Sequence, residues 1–474
     1  MDISTILMAI ALAFGFYMAW SIGANDVANA MGTSVGSGAL TVKRAIILAA
    51  ILEFSGAFFV GTHVSNTIRK GIINPEIFAG SEMELVFGMM GALLAAAVWL
   101  QVASYYGWPV STTHSIVGAV LGFGVLYGGV NAADWGKVAS IAASWVVSPL
   151  LSGTIAFIIF TYLRRAIFYS DDPIGVAKRI TPYIVFIVFA VLTLTMVFKG
   201  LKNLKLDLGL GDSLLVASGV GFLAALVSHF LVKKIKRVEQ PDRVTTRQHI
   251  NVSKGVTKAL SNLEKAAASA SGLVKAQLQH AFDDLKAIDK DVESGTVIEQ
   301  SSEEIRTVER IFIYLQILSA AFVAFAHGAN DVANAVGPLA AVITILDTGA
   351  IAMKSAVPLW VLALGGIGIV IGLATWGWRV MLTIGKKITE LTPTRGFCAE
   401  FAAATTIVVA SKLGLPISTT HTLVGGVLGV GLARGIGALN LRVVTNIVIS
   451  WVVTIPVGAL GAILFYYILK AIFG

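Results

Sequence analysis

Two copies of one string, Gly-Ala-Asn-Asp-Val-Ala-Asn-Ala, carry the side chains of this sequence best suited to bind a cation. They span Gly23–Ala30 and Gly328–Ala335 and lie in otherwise apolar stretches. Ionisable residues are costly at membrane depth, so a repeated cluster of them marks a functional site. On a helix, spacings of three and four residues place the acid and both amides on one face. We predict cation binding by Asn25, Asp26, Asn330 and Asp331, supported by Asn29 and Asn334.

The side-chain chemistry of these clusters narrows the choice of ion. Carboxylate and amide oxygens suit a small hard cation. The clusters hold too few carboxylates for a dedicated calcium cage, and they lack the His or Cys grouping of a zinc site. The alternative is that the amides only hydrogen-bond neighbouring helices. Because the whole triplet is duplicated intact, we favour ion binding.

A second duplicated string, Pro-x-Ser-Thr-Thr-His, predicts an anion site. Its copies are Pro109–His114 and Pro416–His421. Proline disfavours helix before it, and the serine that follows can cap a new helix whose first amides stay free. Free amides, hydroxyls and the positive end of a helix dipole together bind anions. We expect an oxyanion at Ser111, Thr112, Thr113, Ser418, Thr419 and Thr420, with His114 and His421 in support.

Two further acids, Glu53 and Glu400, lie in apolar surroundings. Neither has an acidic counterpart when the halves are aligned, since Glu400 falls on Leu93. Each could bind a cation, take up a proton or pair with a buried donor. We assign both to the cation sites.

Composition and hydropathy predict an all-α polytopic membrane protein. Only 13% of the residues are charged, and apolar runs of about 20 residues, the length of a membrane-spanning helix, lie between the charged loops. No stretch alternates polar and apolar residues as the strands of a membrane β-barrel do. The apolar run Ile3–Ile22 lacks the positively charged N-terminal region of a signal peptide, so we interpret it as a membrane span and not as a cleaved signal. We expect about 12 transmembrane segments, with discontinuous or re-entrant helices at the Pro-x-Ser-Thr-Thr-His strings.

The repeats divide the chain into four parts. Residues 1–168 form a first membrane repeat, 169–233 two linking transmembrane helices, 234–309 a cytoplasmic loop with one or two amphipathic helices, and 310–474 a second repeat. Seven spans precede the second copy, which predicts inverted repeats, as in many secondary transporters. The distribution of Lys and Arg places both termini outside.

The electrostatics of the motifs predict coupled binding. Neither string contains Lys or Arg, so an oxyanion would meet neutral dipoles beside carboxylates, which makes its burial unfavourable. Cations bound at the Asn/Asp clusters would make burial of the oxyanion favourable. Anion and cation would then each require the other, which is the physical basis of symport.

Taken together, these strings, Thr67–Ile72 and Gly396–Glu400 resemble the inorganic phosphate transporter (PiT) family. The resemblance covers everything outside Lys234–Glu309. It implies uptake of inorganic phosphate coupled to sodium ions or protons, inverted repeats, a homodimer and no cofactor besides the co-transported ions. It also implies that Asp26, Asp331, Glu53 and Glu400 are essential acids. The repeats differ where His327 replaces Ile22 and Pro338 breaks a segment that continues as Thr33-Ser34, so the two cation sites need not be equivalent.

Other functions fit less well. Asp26 and Asp331 could form an intramembrane aspartyl dyad, but neither lies in a Gly-x-Gly-Asp setting. Gly32–Gly36 matches a nucleophile elbow only formally, because it follows a helix instead of a strand. We therefore predict that this protein is not an enzyme. A proton-coupled phosphate or sulfate permease and an anion channel stay open as alternatives. The net charge of +8 reflects topology-setting loops and not nucleic-acid binding, and we place the protein in the cell membrane.

Overall fold

The computed structural model describes residues 2–61, 72–199, 208–235, 250–293, 296–351, 357–412 and 417–474. Nearly all of these residues are helical, and the one extended pairing among them is a single bridge between Ile73 and Ala133. The all-α prediction is confirmed. Most of the Thr67–Ile72 motif lies outside the described residues.

Within its described residues, the first repeat contains five α-helices. They are α1 (Ile3–Gly36), α2 (Val42–Val60), α3 (Glu82–Tyr106), α4 (Thr112–Gly128) and α5 (Trp135–Leu163). A short π-helical turn, Arg164–Phe168, follows α5 and ends at the predicted boundary of this repeat. The first Asn/Asp string lies inside the continuous α1, and the first Pro-x-Ser-Thr-Thr-His string leads into α4.

Four helices follow before the second repeat in the part of this stretch that the structure describes. The linking pair is α6 (Pro173–Lys199) and α7 (Leu210–Lys233), and the polar pair is α8 (Ile250–Ser269) and α9 (Gly272–Glu293). The polar pair lies within the stretch 234–309, where one or two amphipathic helices were expected. Its cytoplasmic location stays a prediction.

The α-helices described in the second repeat are α10 (Thr296–Thr348), α11 (Leu359–Thr375), α12 (Trp378–Leu382), α13 (Pro393–Lys412), α14 (Thr419–Arg434) and α15 (Leu441–Phe473). Helix α10 has 53 residues, and the predicted boundary at residues 309/310 falls inside it. The helix also continues through Pro338, so the expected break at that residue was wrong. A proline removes one backbone hydrogen bond, a loss that packed membrane helices tolerate.

Among the described residues, seven helices are long and apolar enough to cross a membrane, or eight if the bent pair α11–α12 forms one span. This pair is bent by 57°, which provides a discontinuous helix. A total of about twelve is reached when the shorter helices α2, α4, α13 and α14 are counted as well. Helix α2 is counted separately because three of its residues, Lys43, Arg44 and Glu53, are charged.

Glycines mark where each repeat packs against the other. A Cβ atom on Gly23 of α1 would lie 1.9 Å from the carbonyl oxygen of Ile369 on α11, and one on Gly328 of α10 would lie 2.1 Å from that of Glu53 on α2. These matched close approaches need glycine because no side chain fits. The two halves therefore contain equivalent crossings, in which α1 meets α11 and α10 meets α2.

The remaining helices also pair between halves. A Cβ atom on Gly118 of α4 would lie 2.7 Å from the carbonyl oxygen of Ile455 on α15, and one on Gly425 of α14 would lie 2.3 Å from that of Pro149 on α5. Each helix that begins with Ser-Thr-Thr thus packs on the closing helix of the opposite half. This matched exchange fits two related repeats, and their inverted orientation across the membrane stays a prediction.

Candidate functional site

Both Asn/Asp strings lie inside the C-terminal halves of long helices, where the surrounding Gly, Ala and Val residues let other helices approach. Asp26 and Asp331 are completely buried, Asn25, Asn29 and Asn334 are nearly so, and Asn330 is half-buried. The clusters are therefore internal sites and not surface features.

The two Pro-x-Ser-Thr-Thr-His strings begin helices as predicted. Ser111 Oγ accepts a hydrogen bond from the backbone N–H of His114 at 3.2 Å, and Ser418 Oγ accepts one from that of His421 at 3.1 Å. Each serine is the N-cap of its helix. The amides of the two threonines after each cap precede the intrahelical hydrogen bonds and can face an anion.

The Asn/Asp cluster of each half contacts the helix start of the other half. Asn29 Nδ2 lies 2.8 Å from Thr420 Oγ1 and 3.5 Å from Thr419 Oγ1. In the matching arrangement, Asn334 Nδ2 lies 3.1 Å from Thr112 Oγ1 and 3.4 Å from Thr113 Oγ1. The four motifs thus form one site, which we call the central site.

The carboxylates of the central site also lie beside threonine hydroxyls. Thr419 Oγ1 donates to Asp331 Oδ2 at 3.0 Å, and Thr420 Oγ1 lies 3.3 Å from Asp26 Oδ1. Asp26 Oδ2 and Asn29 Oδ1 are buried and make no hydrogen bond within the described residues. Buried acceptors of this kind require a partner, and a cation would satisfy both.

Asn25 connects α1 to the segment that leads into α4. Its Nδ2 donates to the carbonyl oxygen of Trp108 at 3.0 Å and to Ser104 Oγ at 3.1 Å, and its Oδ1 accepts from the amide of Val110 at 3.3 Å. Asn25 therefore positions the first helix start. Its partner in the repeat, Asn330, donates instead to Asp331 Oδ1 at 2.8 Å.

His327 links three acids inside the central site. Its Nε2 lies 2.7 Å from Asp331 Oδ2 and 3.7 Å from Asp26 Oδ2, and its Nδ1 lies 3.4 Å from Glu53 Oε1. Asp26, His327 and Asp331 could together hold a metal ion. In the sequence alone, this histidine stands out only as a difference between the repeats. Its position four residues before Asp331, on the same helical face, was the signal that could have identified it.

Glu53 joins the central site through its contact with His327, and its assignment as a cation ligand stays a prediction. Its backbone passes Gly328 at the α2–α10 crossing, and both carboxylate oxygens are buried without a hydrogen bond in the described part of the chain. Among the described residues, His327 is therefore the electrostatic partner of Glu53.

Glu400 belongs to a second polar group, which we call the Glu400 group. Its carboxylate accepts from Ser34 at 2.8 Å, from Ser319 at 2.5 Å and from Gln316 at 3.4 Å, and Thr33 also donates to it. These partners come from α1 and α10. The pairing of Glu400 with Thr33 and Ser34 was not predicted from the sequence.

His114 and His421 lie directly behind the two helix starts. Both are buried, and their ring centroids are 4.3 Å apart. They contact each other and two tryptophans, so the geometry fits a supporting role.

Comparisons with known proteins agree with this architecture. The model of the phosphate transporter family matches residues 22–462. The chain is 46% identical over 468 residues to "Inorganic phosphate transporter 2-1, chloroplastic" of Arabidopsis thaliana, covering 97% of this chain and 72% of that protein. It is 43% identical over 459 residues to a "Putative phosphate permease" of Pyrococcus abyssi, covering 97% of both.

A solved structure is similar as well. It is described as "The sodium-dependent phosphate transporter" and shares 38% identity with this chain at a TM-score of 0.78. The match covers 98% of this chain and 100% of the other.

Proposed function

This chain belongs to the phosphate transporter family, and on that premise we propose that it imports inorganic phosphate by symport with sodium ions. It is a multi-pass membrane protein, and we propose that it works in the cell membrane as a homodimer. The similarity to a sodium-dependent phosphate transporter supports the choice of sodium.

One observation carries the proposal, the hydrogen bonding of each Asn/Asp cluster to the opposite helix start. Two helix N-termini and two buried carboxylates meet at one place. Helix N-termini attract an anion, whereas Asp26 and Asp331 repel it. Phosphate binding at Thr112, Thr113, Thr419 and Thr420 therefore requires positive charge beside the aspartates.

Sodium ions can supply that charge. Asp26 Oδ2 and Asn29 Oδ1 are buried acceptors without a hydrogen bond in the described residues, and the hydroxyls of Thr419 and Thr420 are close to the same cluster. Carboxylate, amide and hydroxyl oxygens are hard ligands that suit small cations. The Glu400 group, with one carboxylate among neutral oxygens, is the proposed place for a further sodium ion.

The proton is the second candidate for the coupling ion. His327 contacts Asp26, Asp331 and Glu53, and imidazole is the side chain that ordinarily changes charge near neutral pH. A protonated His327 could supply positive charge where a sodium ion otherwise would.

The test is uptake of radiolabelled phosphate by proteoliposomes in which sodium and proton gradients are varied separately. We expect uptake to follow an inward sodium gradient and to be competed weakly by sulfate. Asp331→Asn should abolish sodium-driven uptake. Asp347 is an exposed acid at the end of the same helix, and Asp347→Asn should leave uptake unchanged.

Binding measurements complete the test. Phosphate and sodium should raise each other's affinity, by roughly 5- to 150-fold for a typical coupling. Uptake driven only by a proton gradient would favour the second candidate, and phosphate affinity indifferent to both ions would exclude symport.

A further inference from the structure

Four aromatic rings form a continuous row of contacts between the two halves, with the two histidine rings edge to face and each against a tryptophan; we call this row the central stack. The His114 and His421 ring centroids are 4.3 Å apart, His114 lies 3.6 Å from Trp145, and His421 lies 3.6 Å from Trp451. Each histidine ends a Ser-Thr-Thr-His string, and each tryptophan belongs to the closing helix of the same half. The stack is thus a direct connection between the two helix starts.

Hydrogen bonds attach the central stack to the phosphate-binding segments. Trp451 Nε1 donates to the carbonyl oxygen of Pro109 at 3.1 Å, and Thr420 Oγ1 donates to that of Val110 at 3.1 Å. Both donors come from the second half, and both acceptors directly precede Ser111 of the first. Movement within the stack must therefore move one helix start relative to the other.

The histidines contribute their ring shape more than their hydrogen-bonding capacity. Neither ring nitrogen of His114 nor Nε2 of His421 makes a hydrogen bond within the described residues. The remaining nitrogen, His421 Nδ1, lies 3.4 Å from the carbonyl oxygen of Trp145. Packed interiors transmit small changes of volume to their neighbours, so flat rings in contact fix a separation.

We infer that the central stack sets the separation of the two Ser-Thr-Thr helix starts and so determines which size of tetrahedral oxyanion fits between them. Two helix N-termini are both positive and repel each other, so a rigid contact is needed to hold them close. Hydrogen bonds act only over about 2.7–3.2 Å; a wider gap therefore weakens binding of phosphate more than binding of the larger arsenate. The inference rests on the proposed phosphate site.

The test compares two substitutions of one ring. His421→Gln removes the ring and keeps a polar side chain, whereas His421→Phe keeps a flat ring of similar shape. Affinities for phosphate and for arsenate are measured by calorimetry on purified protein at saturating sodium. We expect His421→Gln to weaken phosphate binding about tenfold, or about 1.4 kcal/mol, to leave arsenate binding nearly unchanged, and to raise the phosphate KM more than it lowers the maximal uptake rate.

Three controls separate positioning from general damage. His421→Phe should retain the preference for phosphate. His114→Gln should reproduce the loss from the other half, and it serves if His421→Gln does not fold. Phe123→Leu changes a buried ring on α4 outside the stack and should leave the preference intact.

The inference is overturned if the glutamine variants keep the preference for phosphate, or if His421→Phe loses it as His421→Gln does. The second result would mean that imidazole chemistry matters and not ring packing. A wild-type protein that binds neither anion would instead refute the proposed function, so the two failures are distinguishable.

Discussion

The crossing of α2 with α10 and the crossing of α11 with α1 have the same backbone contacts and opposite chemistry. At the first crossing, Glu53 faces His327; at the second, the equivalent residues are Ile369 and Ile22. All four side chains are completely buried. The equivalence follows from the matched approaches of Gly328 to the Glu53 carbonyl and of Gly23 to that of Ile369.

The Glu400 group also has an apolar counterpart at the repeat-related place, but here the acid belongs to the second half instead of the first. Glu400 on α13 accepts from Thr33 and Ser34 of α1. At the repeat-related positions stand Leu93, Pro338 and Leu339, none of which can donate from its side chain. Leu93 and Leu339 are buried as well.

In both comparisons, the acid and its partner are present together at one of the two repeat-related places, and apolar residues replace both at the other. A buried carboxylate without partners costs several kcal/mol, so neither could change alone without a stability cost. The duplicated aspartates belong to the central site that both halves share, whereas the unduplicated acids make the two halves different. This difference supports the sequence-based view that the cation sites need not be equivalent.

The largest effect is expected at the duplicated acids. Asp26→Asn and Asp331→Asn should each abolish coupled uptake while the protein still folds, because asparagine keeps the shape and removes the charge that attracts the cation. Uptake in proteoliposomes and size-exclusion chromatography measure the two properties. Wild-type transport in either variant would show that the halves are not equivalent even at the anion site.

The next effect concerns the α2–α10 crossing. His327→Ile should lower the free energy of unfolding by about 3–5 kcal/mol, because Glu53 and Asp331 lose their buried partner. Denaturation in detergent measures this change. Adding Glu53→Ile recreates the Ile22–Ile369 pair and should recover part of the loss. A double variant no more stable than His327→Ile would break the comparison between the two crossings.

A smaller effect is expected in the Glu400 group. Glu400→Leu copies Leu93 and leaves several hydroxyls without an acceptor, at a cost of about 1–3 kcal/mol in unfolding free energy. The sodium dependence of uptake should become less steep, while phosphate affinity at saturating sodium stays close to wild type. Leu93→Met is the control at the counterpart position. A large loss of phosphate affinity would place Glu400 in the central site.

The smallest effect is expected at single threonine hydroxyls. Thr112→Val and Thr419→Val should each weaken phosphate binding by about 0.5–1.5 kcal/mol, the usual contribution of one hydrogen bond, and calorimetry should give similar values for both. Thr344→Val is the control, because this hydroxyl bonds to the Ala340 carbonyl in its own helix. Strongly unequal losses would mean that the anion does not lie symmetrically between the helix starts.

The sequence predicted the local features and missed the pairings between distant parts. Helix capping at Ser111 and Ser418 depends on neighbouring residues, so it could be read from a short string. The contact of Asn29 with Thr420, and of Glu400 with Thr33, depends on how two halves dock, which no spacing along the chain encodes. His327 was underestimated because a single histidine in an apolar run does not reveal which acids face it.

The exchanged contacts between the halves constrain the history of this protein. Because Asn29 bonds to Thr420 and Asn334 to Thr112, a single repeat contains the donor of one contact and the acceptor of the other, and therefore only half of the central site. An ancestral chain of half this length would have needed two copies of itself to make a pocket. Gene fusion would then have freed each copy to specialise, as the separate placement of Glu53 and Glu400 illustrates.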